Sequence, residues 1–500
     1  MDESVDLVVA GGGPTGLLSA LLAQRLGLTV SVIDAKSGPL ELGRADALNA
    51  RTQQYLDVVG ILDELLPLGL RCDTSSTYSK GKWTSRQDKW WKGIEHCLHK
   101  NFLMIGQPVI EEILTRHLLN ESPNVIHYEE TVSGITESED GVILTTDKGR
   151  TVHAKYAVGA DGARSTIRNT LGISFTGTKP EMLWAVVDTF IKTDFPVSPE
   201  IVTFELDGQS RVSWIPRERG MARFYVLLPG GEVTLERAQE SIKRHMAPHF
   251  VDFVEVEWFS TFDVKERIAS TFVTKEGSGR ILLAGDAAHV HSVNGGQGLN
   301  TGIADAFALS WRVAAAIQNP EFTSDGALKL IRSYDTERRQ VAQNVIDVAA
   351  NLVRDTVHTA AQYVSTIEKN AGYITGMGVS YDGLGSELIT ESKQGLWKAG
   401  KRCPELFLKR SGDEQTTRLY SILDYGKYLI ISIGGSGQHE YQGKLSGPAT
   451  HLRLLSPEAA SVTSEDDVFI SELVDSDDDL VVVVRPDMYI GEVITRKQTA

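Results

Sequence analysis

The sequence predicts an α/β protein in which a parallel-sheet unit is interrupted by a strand-rich insert and followed by a separate C-terminal unit. Three observations predict it. The chain opens on a strand, a glycine turn, a helix and a second strand; a middle region reads as one strand after another; and a late apolar strand with long helices returns to the first unit. At 500 residues a single hydrophobic core does not suffice, so two or three domains are expected.

The opening run is Asp6-Leu-Val-Val-Ala-Gly11-Gly-Gly13-Pro-Thr-Gly16. Gly11 permits a tight turn, Gly13 lets the backbone approach a pyrophosphate, and Gly16 lets the following helix pack on the strand. Free N–H groups at that helix start meet phosphate charge. The apolar helix Leu17–Leu26 leads to a second strand ending at Asp34. There an acid can bind the hydroxyls of an adenosine ribose. A satisfied surface aspartate after a glycine-rich turn is the other reading of that residue. Strand, turn, helix, strand and acid in this order predict a dinucleotide site on a Rossmann-like unit.

Two further strings follow apolar strands: Val158-Gly-Ala-Asp161-Gly162-Ala-Arg164-Ser165 and Leu283-Ala-Gly285-Asp286-Ala-Ala-His289. With these three motifs in order, the chain resembles the aromatic-hydroxylase group of single-component FAD monooxygenases, which share the p-hydroxybenzoate hydroxylase fold. The resemblance spans nearly the whole chain. It implies FAD as cofactor, Asp286 on the ribityl chain, and the Asp161-Gly162 turn near FAD and nicotinamide phosphates. It also implies FAD contacts for Arg44 and Gln107.

Gly295-Gly296-Gln-Gly298-Leu299-Asn300 leads into a helix expected over Ile303–Ala315. Glycines here let backbone lie against a flat ring, and a helix start stabilises negative charge on it. In the resembled family this loop cradles the isoalloxazine, with Leu299 and Asn300 in contact; a flexible surface loop is the alternative. Val293 stands where the family often has proline, which puts the usual substrate contacts there in doubt.

The resemblance implies an FAD-binding domain over 1–70, 101–172 and 278–380, interleaved with a β-sheet substrate domain over 71–100 and 173–277. Strands are read at Leu183–Val187, Ile201–Leu206, Arg211–Ile215 and Arg223–Leu228. Residues 71–100, with Trp83, Trp90 and Trp91, read as a loop-rich lid or as ordinary packing. From about 385 to 500 the chain resembles the thioredoxin-like C-terminal domain of phenol and polyketide hydroxylases. It has no Cys-x-x-Cys, so dithiol chemistry is excluded and a structural or dimerising role, as in a homodimer, is expected.

Composition sets the outer limits. A formal charge of −16 argues against nucleic acid. Cys72, Cys97 and Cys403 read as unpaired thiols in a reducing compartment, and no leader is visible, so a cytoplasmic enzyme is expected. No apolar run approaches the ~20 residues of a membrane span. His289 and His291 lack a recognisable third ligand, so no metal is expected. Gly434-Gly-Ser-Gly437 is followed by no acid-ended strand, so the nicotinamide cofactor, NADPH or NADH, is expected to bind transiently in a cleft.

Hydroxylation by a flavin C4a-hydroperoxide needs exclusion of water and, for a phenol, a base. Gly43-Arg44-Ala-Asp46-Ala-Leu-Asn-Ala-Arg51 resembles the phenol-hydroxylase segment whose aspartate acts at the active site. Arg217 and Tyr225 match that enzyme's arginine and tyrosine at their spacing of eight. Asp46 would accept the proton, Tyr225 relay it, and Arg217 stabilise the phenolate. Alternatively, Asp46 caps a helix over Ala47–Val59 and Arg217 pairs with a surface acid. The resulting expectation is NAD(P)H- and O2-dependent hydroxylation of a phenolic or polyketide-like aromatic substrate. Epoxidation, Baeyer–Villiger insertion and oxidative decarboxylation use the same flavin chemistry and stay open. A halogenase is disfavoured, because Val212 stands where that pattern has a tryptophan. A non-catalytic flavin scaffold is the reading from a different class.

Overall fold

The computed structural model describes residues 2–86, 94, 97–179, 182–196, 199–207, 209–228, 230–263, 265–292, 296–319, 324–355, 360–393, 395–413, 415–434, 447–462, 468–475 and 478–495. Trp90, Trp91 and Val293 lie outside the described residues, as do residues 435–437 of the second glycine run.

The first strand, Asp2–Ala10, buries Leu7, Val8, Val9 and Ala10 completely or nearly so. A strand covered on both faces reads as a continuous apolar run rather than an alternating one. It lies between Val30–Ile33 and Thr151–Gly159, parallel to both; Ile126–His127 extends the sheet beyond Val30–Ile33. The end of Thr151–Gly159 pairs in parallel with Ile281–Leu283, while its beginning pairs antiparallel with Val142–Thr146. The four strands ending at Ala10, Ile33, Gly159 and Leu283 therefore point the same way. Gly11, Asp34, Asp161 and Asp286 follow them at one edge of the sheet, where open α/β sheets hold their ligands. Helix Pro14–Arg25 covers one face and packs against the helices Gln107–Glu121 and Gln297–Gln318.

The insert forms a seven-stranded sheet in the order Val251–Asp263, Leu183–Thr193, Ala222–Leu227, Gln209–Pro216, Ile201–Leu206, Ser75–Ser79, Lys82–Arg86. One face buries Ala185, Val187, Phe204, Trp214, Phe224 and Val226 against the helix Leu235–Met246. The 13-residue strand Val251–Asp263 and this helix were not legible in the sequence reading. The strand's interspersed acids, Asp252, Glu255 and Glu257, disguise it as polar coil. Where residues 71–100 read as a loop-rich lid, residues 75–86 form a hairpin that extends the sheet. Trp83 packs there against Tyr78 and Phe195.

The C-terminal unit is a mixed seven-stranded sheet: Thr416–Arg418, Phe407–Arg410, Phe469–Ile470, Ala449–Leu455, Tyr428–Ile433, Leu480–Val484, Ile490–Thr495. Buried ion pairs join it to the first unit. Arg485 grips both Glu337 oxygens at 2.7 and 2.8 Å, and Arg312 donates to Asp487 at 3.1 Å. Despite the desolvation that burial imposes, Arg485 and Arg312 hold Asp487 down to about 2. The unfolded chain protonates this carboxylate near 4, so its stabilising contribution is complete above that pH and is lost as pH falls from 4 through 2. Acid titration followed by tryptophan fluorescence should therefore report loosening of this junction in that window.

All three cysteines are buried and outside any disulfide, and burial pushes the Cys403 thiol up to about 12. Such a thiol carries no nucleophilic thiolate at neutral pH. Cys403→Ser is expected to leave turnover unchanged in a steady-state assay. Among the described residues, no helix is long and apolar enough to cross a membrane.

Candidate active site

The edge of the parallel sheet opens into a cleft of about 400 Å³ lined by Gly11, Gly13, Asp34, Arg44, Gln107, Asp161 and Gly162. Gly11 adopts a left-handed φ of 106°, and a Cβ there would run into the Ala160 carbonyl. A Cβ on Gly16 would strike the Gly11 carbonyl. Gly13 differs from both, because no protein atom lies within 4 Å of the position its Cβ would take. Its open backbone face, at the start of helix Pro14–Arg25, suits an approaching pyrophosphate. Asp34 is 6% exposed; it accepts the Gly12 N–H at 2.7 Å and the Lys36 N–H at 2.9 Å. Those bonds hold its carboxylate on the cleft wall with acceptor capacity to spare.

Gln107 is the first residue of its helix. It accepts the Ala45 N–H at 3.3 Å and donates to Glu111 at 2.8 Å, which fixes it in the cleft beside the Arg44 segment. Asp161 accepts the Ile167 N–H at 3.1 Å, while its other oxygen has no protein partner. Gly162 has φ +80° and open space around it.

Thr15 knits the glycine-rich turn to the late motif. Its hydroxyl occupies the space that a Cβ on Gly285 or Gly302 would need. Asp305, fully buried, accepts from Gly285 N at 3.0 Å, His289 Nε2 at 2.7 Å and Arg338 Nε at 2.8 Å. Burial works against its charge, but Arg338 and His289 keep it below the ordinary carboxylate value. This sets the Gly285-Asp286 turn and occupies His289; among the described residues no cluster could hold a metal. Asp286 is an exposed residue of this turn, although the protein around its carboxylate raises its pKa despite the His289 and Arg44 charges. A carboxylate kept in this state fits a polyhydroxylated chain. Asp286→Ala is expected to release most of the bound flavin, read from the absorbance ratio of purified protein at the flavin and aromatic bands. Full occupancy in that variant would disprove the assignment.

The helix expected to start at Ile303 starts at Gln297 and runs to Gln318, with Gly296 as left-handed N-cap at φ 62°. Gly298, Leu299 and Asn300 therefore occupy its first turn. Asn300 donates to the Ala47 carbonyl at 3.0 Å and accepts the Asn49 N–H at 2.9 Å. It thus ties this helix start to the Asp46 segment.

Asp46 does not cap a helix. Ala47–Leu48 is a short strand, and Asn49 caps the helix Ala50–Val58 by accepting the Thr52 N–H. Asp46 is 6% exposed and faces the inserted seven-stranded sheet, where Tyr225 Oη donates to its Oδ2 at 3.0 Å. Arg223 Nη1 lies 3.3 Å from the same oxygen. Arg223 also binds Asp188 through two bonds of 2.6 Å and donates to the Arg44 carbonyl. Gly43 and Arg44 both have positive φ, and a Cβ on Gly43 would enter the Trp258 ring, so this loop lies directly on the sheet. Burial and the Asp46 charge raise the Tyr225 phenol well above its ordinary value, and Arg223 only partly offsets them.

The structure brings Asp46 and Tyr225 together, while Arg217 meets neither of them directly and borders their cluster through Asp188. Arg217 bonds Glu218 at 2.7 and 2.9 Å and sits 3.7 Å from Asp188; neither acid is on the surface. In the hairpin register Pro216 opposes Ala222, so Arg217 lies beyond the level of Tyr225. Arg223 and Asp188 were missed. Period-two alternation could have found Arg223, which shares a face with Tyr225 two residues on.

Cleft, turn and helix start together define an FAD-binding oxidoreductase built on a p-hydroxybenzoate hydroxylase-like α/β fold. A family profile described as an FAD binding domain matches residues 4–349. Phenol 2-monooxygenase fsqG of Aspergillus fumigatus is 30% identical over 76% of this chain and 66% of its own length. The 3-hydroxybenzoate 4-monooxygenase of Comamonas testosteroni is 27% identical over 92% of this chain and 78% of its own. Among solved structures, a ternary complex of aklavinone-11 hydroxylase with FAD and aklavinone superposes with TM-score 0.75 at 21% identity, covering 100% and 97% of the chains. The chain belongs to the FAD-dependent monooxygenases of the aromatic-hydroxylase type.

Proposed function

We propose that this protein hydroxylates a phenolic or polyketide-like aromatic compound, with NADPH or NADH as reductant. The observation that carries this reading is the Tyr225–Asp46 hydrogen bond of 3.0 Å, held by Arg223 where the FAD unit meets the substrate sheet. Bound FAD, once reduced, supplies the oxygen atom from O2 that the substrate attacks. The protein's own part is to bind the ring and take its proton. A phenol donating to Tyr225 Oη would lose its proton as the Tyr225 proton moves to Asp46 Oδ2. Tyr225 itself stays neutral at working pH, which suits a relay rather than a standing base. Arg223, itself fixed by two bonds to Asp188, keeps Asp46 oriented and offsets its charge. Beside this group, Trp184, Leu227, Met182 and Phe262 form an apolar cluster with Tyr225 that would exclude water from the reacting oxygen.

Two relatives carry names of enzymes acting on a phenol and a hydroxybenzoate, which supports an aromatic substrate here. The C-terminal sheet is read as a thioredoxin-like unit without dithiol activity. A screen of phenols that follows NADPH consumption together with product mass tests the proposal. Product masses one oxygen heavier, with the ring intact, support it. Oxygen insertion into a ring or across a double bond would instead favour the Baeyer–Villiger or epoxidation reading.

A further inference from the structure

The helix Ala50–Val58 carries Arg51, a cation only 3% exposed that has no carboxylate partner among the described residues. Its Nη1 donates to Gln54 Oε1 and Tyr420 Oη, both at 2.9 Å, and its Nη2 reaches the Asp487 carbonyl at 3.4 Å. The guanidinium lies 4.5 Å from the Tyr55 ring centre and 5.1 Å from that of Tyr489. All of these are neutral acceptors or ring faces, and Arg51 Nε has no partner.

The neighbouring carboxylates are committed elsewhere. Asp487 and Glu337 are shared by Arg312 and Arg485, Asp305 serves Arg338, and Glu405 serves Arg418 at 3.1 Å. Of the four buried arginines Arg51, Arg312, Arg338 and Arg485, Arg51 alone has no carboxylate within 4 Å among the described residues. An arginine cannot shed its proton to escape that cost, and a buried unpaired charge is strongly unfavourable.

Against Arg51 lies a cavity of about 30 Å³ whose wall also includes Arg338, Tyr55, Tyr373, Thr301 and Tyr489. A site needs roughly 10–15 Å³ by this measure to admit one water-sized particle, so the space suits one or two such particles and no organic acid. We propose that the cavity binds a monovalent anion of the size of chloride, which supplies the counter-charge that the chain withholds from Arg51. The anion sits between the helix start at Gln297, from the FAD unit, and Tyr489, from the C-terminal unit. It therefore belongs to the joint between them, and neither Asp46 nor Tyr225 is part of its wall.

Crystals of the holoenzyme soaked in bromide should show an anomalous peak beside Arg51 Nε. Thermal melts at constant ionic strength should rise by about 2 °C or more as gluconate is replaced by up to 100 mM chloride. In Arg51→Gln that chloride dependence should vanish. If that variant fails to fold, the bromide peak in the unaltered protein decides. Absence of the peak, a melting point indifferent to chloride, or a phenolate absorbance band at neutral pH would each overturn the proposal. The last would make a tyrosine the counter-ion. None of these outcomes depends on aromatic hydroxylation, so the site and the proposed reaction stand or fall separately.

Discussion

Replacing Asp46 by alanine is expected to lower hydroxylation by ~10²–10⁴-fold while FAD stays bound, the usual consequence of removing a general base. The residues placed to hold the cofactor, Gly11, Gly13, Asp34 and Asp286, do not touch Asp46, so flavin content should match that of the unaltered protein. NADPH would still be oxidised, but the reducing equivalents should leave as hydrogen peroxide, measured with a peroxidase-coupled assay. Asp46→Asn separates proton acceptance from packing. It keeps an acceptor for Tyr225 Oη but cannot take the proton, so it should be nearly as impaired as alanine. Wild-type coupling in the asparagine variant would sink the base assignment and leave the monooxygenase class untouched.

Replacing Arg223 by methionine should produce the largest loss of stability, about 3–5 kcal/mol, the range for removing one partner of a buried ion pair. Arg223 is fully buried and serves Asp188, Asp46 and the Arg44 carbonyl at once. Without it, Asp188 keeps only Arg217 at 3.7 Å. A surface pair such as Arg71–Asp73, at least half exposed on both sides, is worth at most about 1 kcal/mol by comparison. Lysine should rescue little, since a point charge cannot reproduce the two 2.6 Å bonds to Asp188. Arg223→Met combined with Asp188→Leu should recover part of the loss. Urea midpoints of the three variants measure this; an Arg223→Met midpoint equal to wild type would disprove the network.

Much of the candidate cofactor cleft was legible in the sequence because its signals are local. A strand, a glycine turn and a helix are contiguous in the chain, and Asp34, Asp161 and Asp286 each follow a readable apolar strand. Parallel strands place such residues on one edge whatever lies between them. The inserted sheet was legible only in its central strands, where alternation is clean. The hairpin over 75–86 pairs with a strand far along the chain and carries no local sign of that partner.

By itself, then, the sequence determined that this is an FAD-binding α/β chain with a sheet insert, and that Asp46 and Tyr225 belong to one group. Only the tertiary structure showed that Arg223 lies against Asp46 while Arg217 reaches the same charge cluster through Asp188, because pairing across a hairpin depends on register. Only the structure, too, showed that Asn49 caps the helix and frees Asp46 to face the sheet, and that the helix beyond Gly296 begins at Gln297, so that Gly298, Leu299 and Asn300 lie in its first turn. Those outcomes rest on burial, register and charge neutralisation between segments distant in the chain, which no short stretch of sequence encodes.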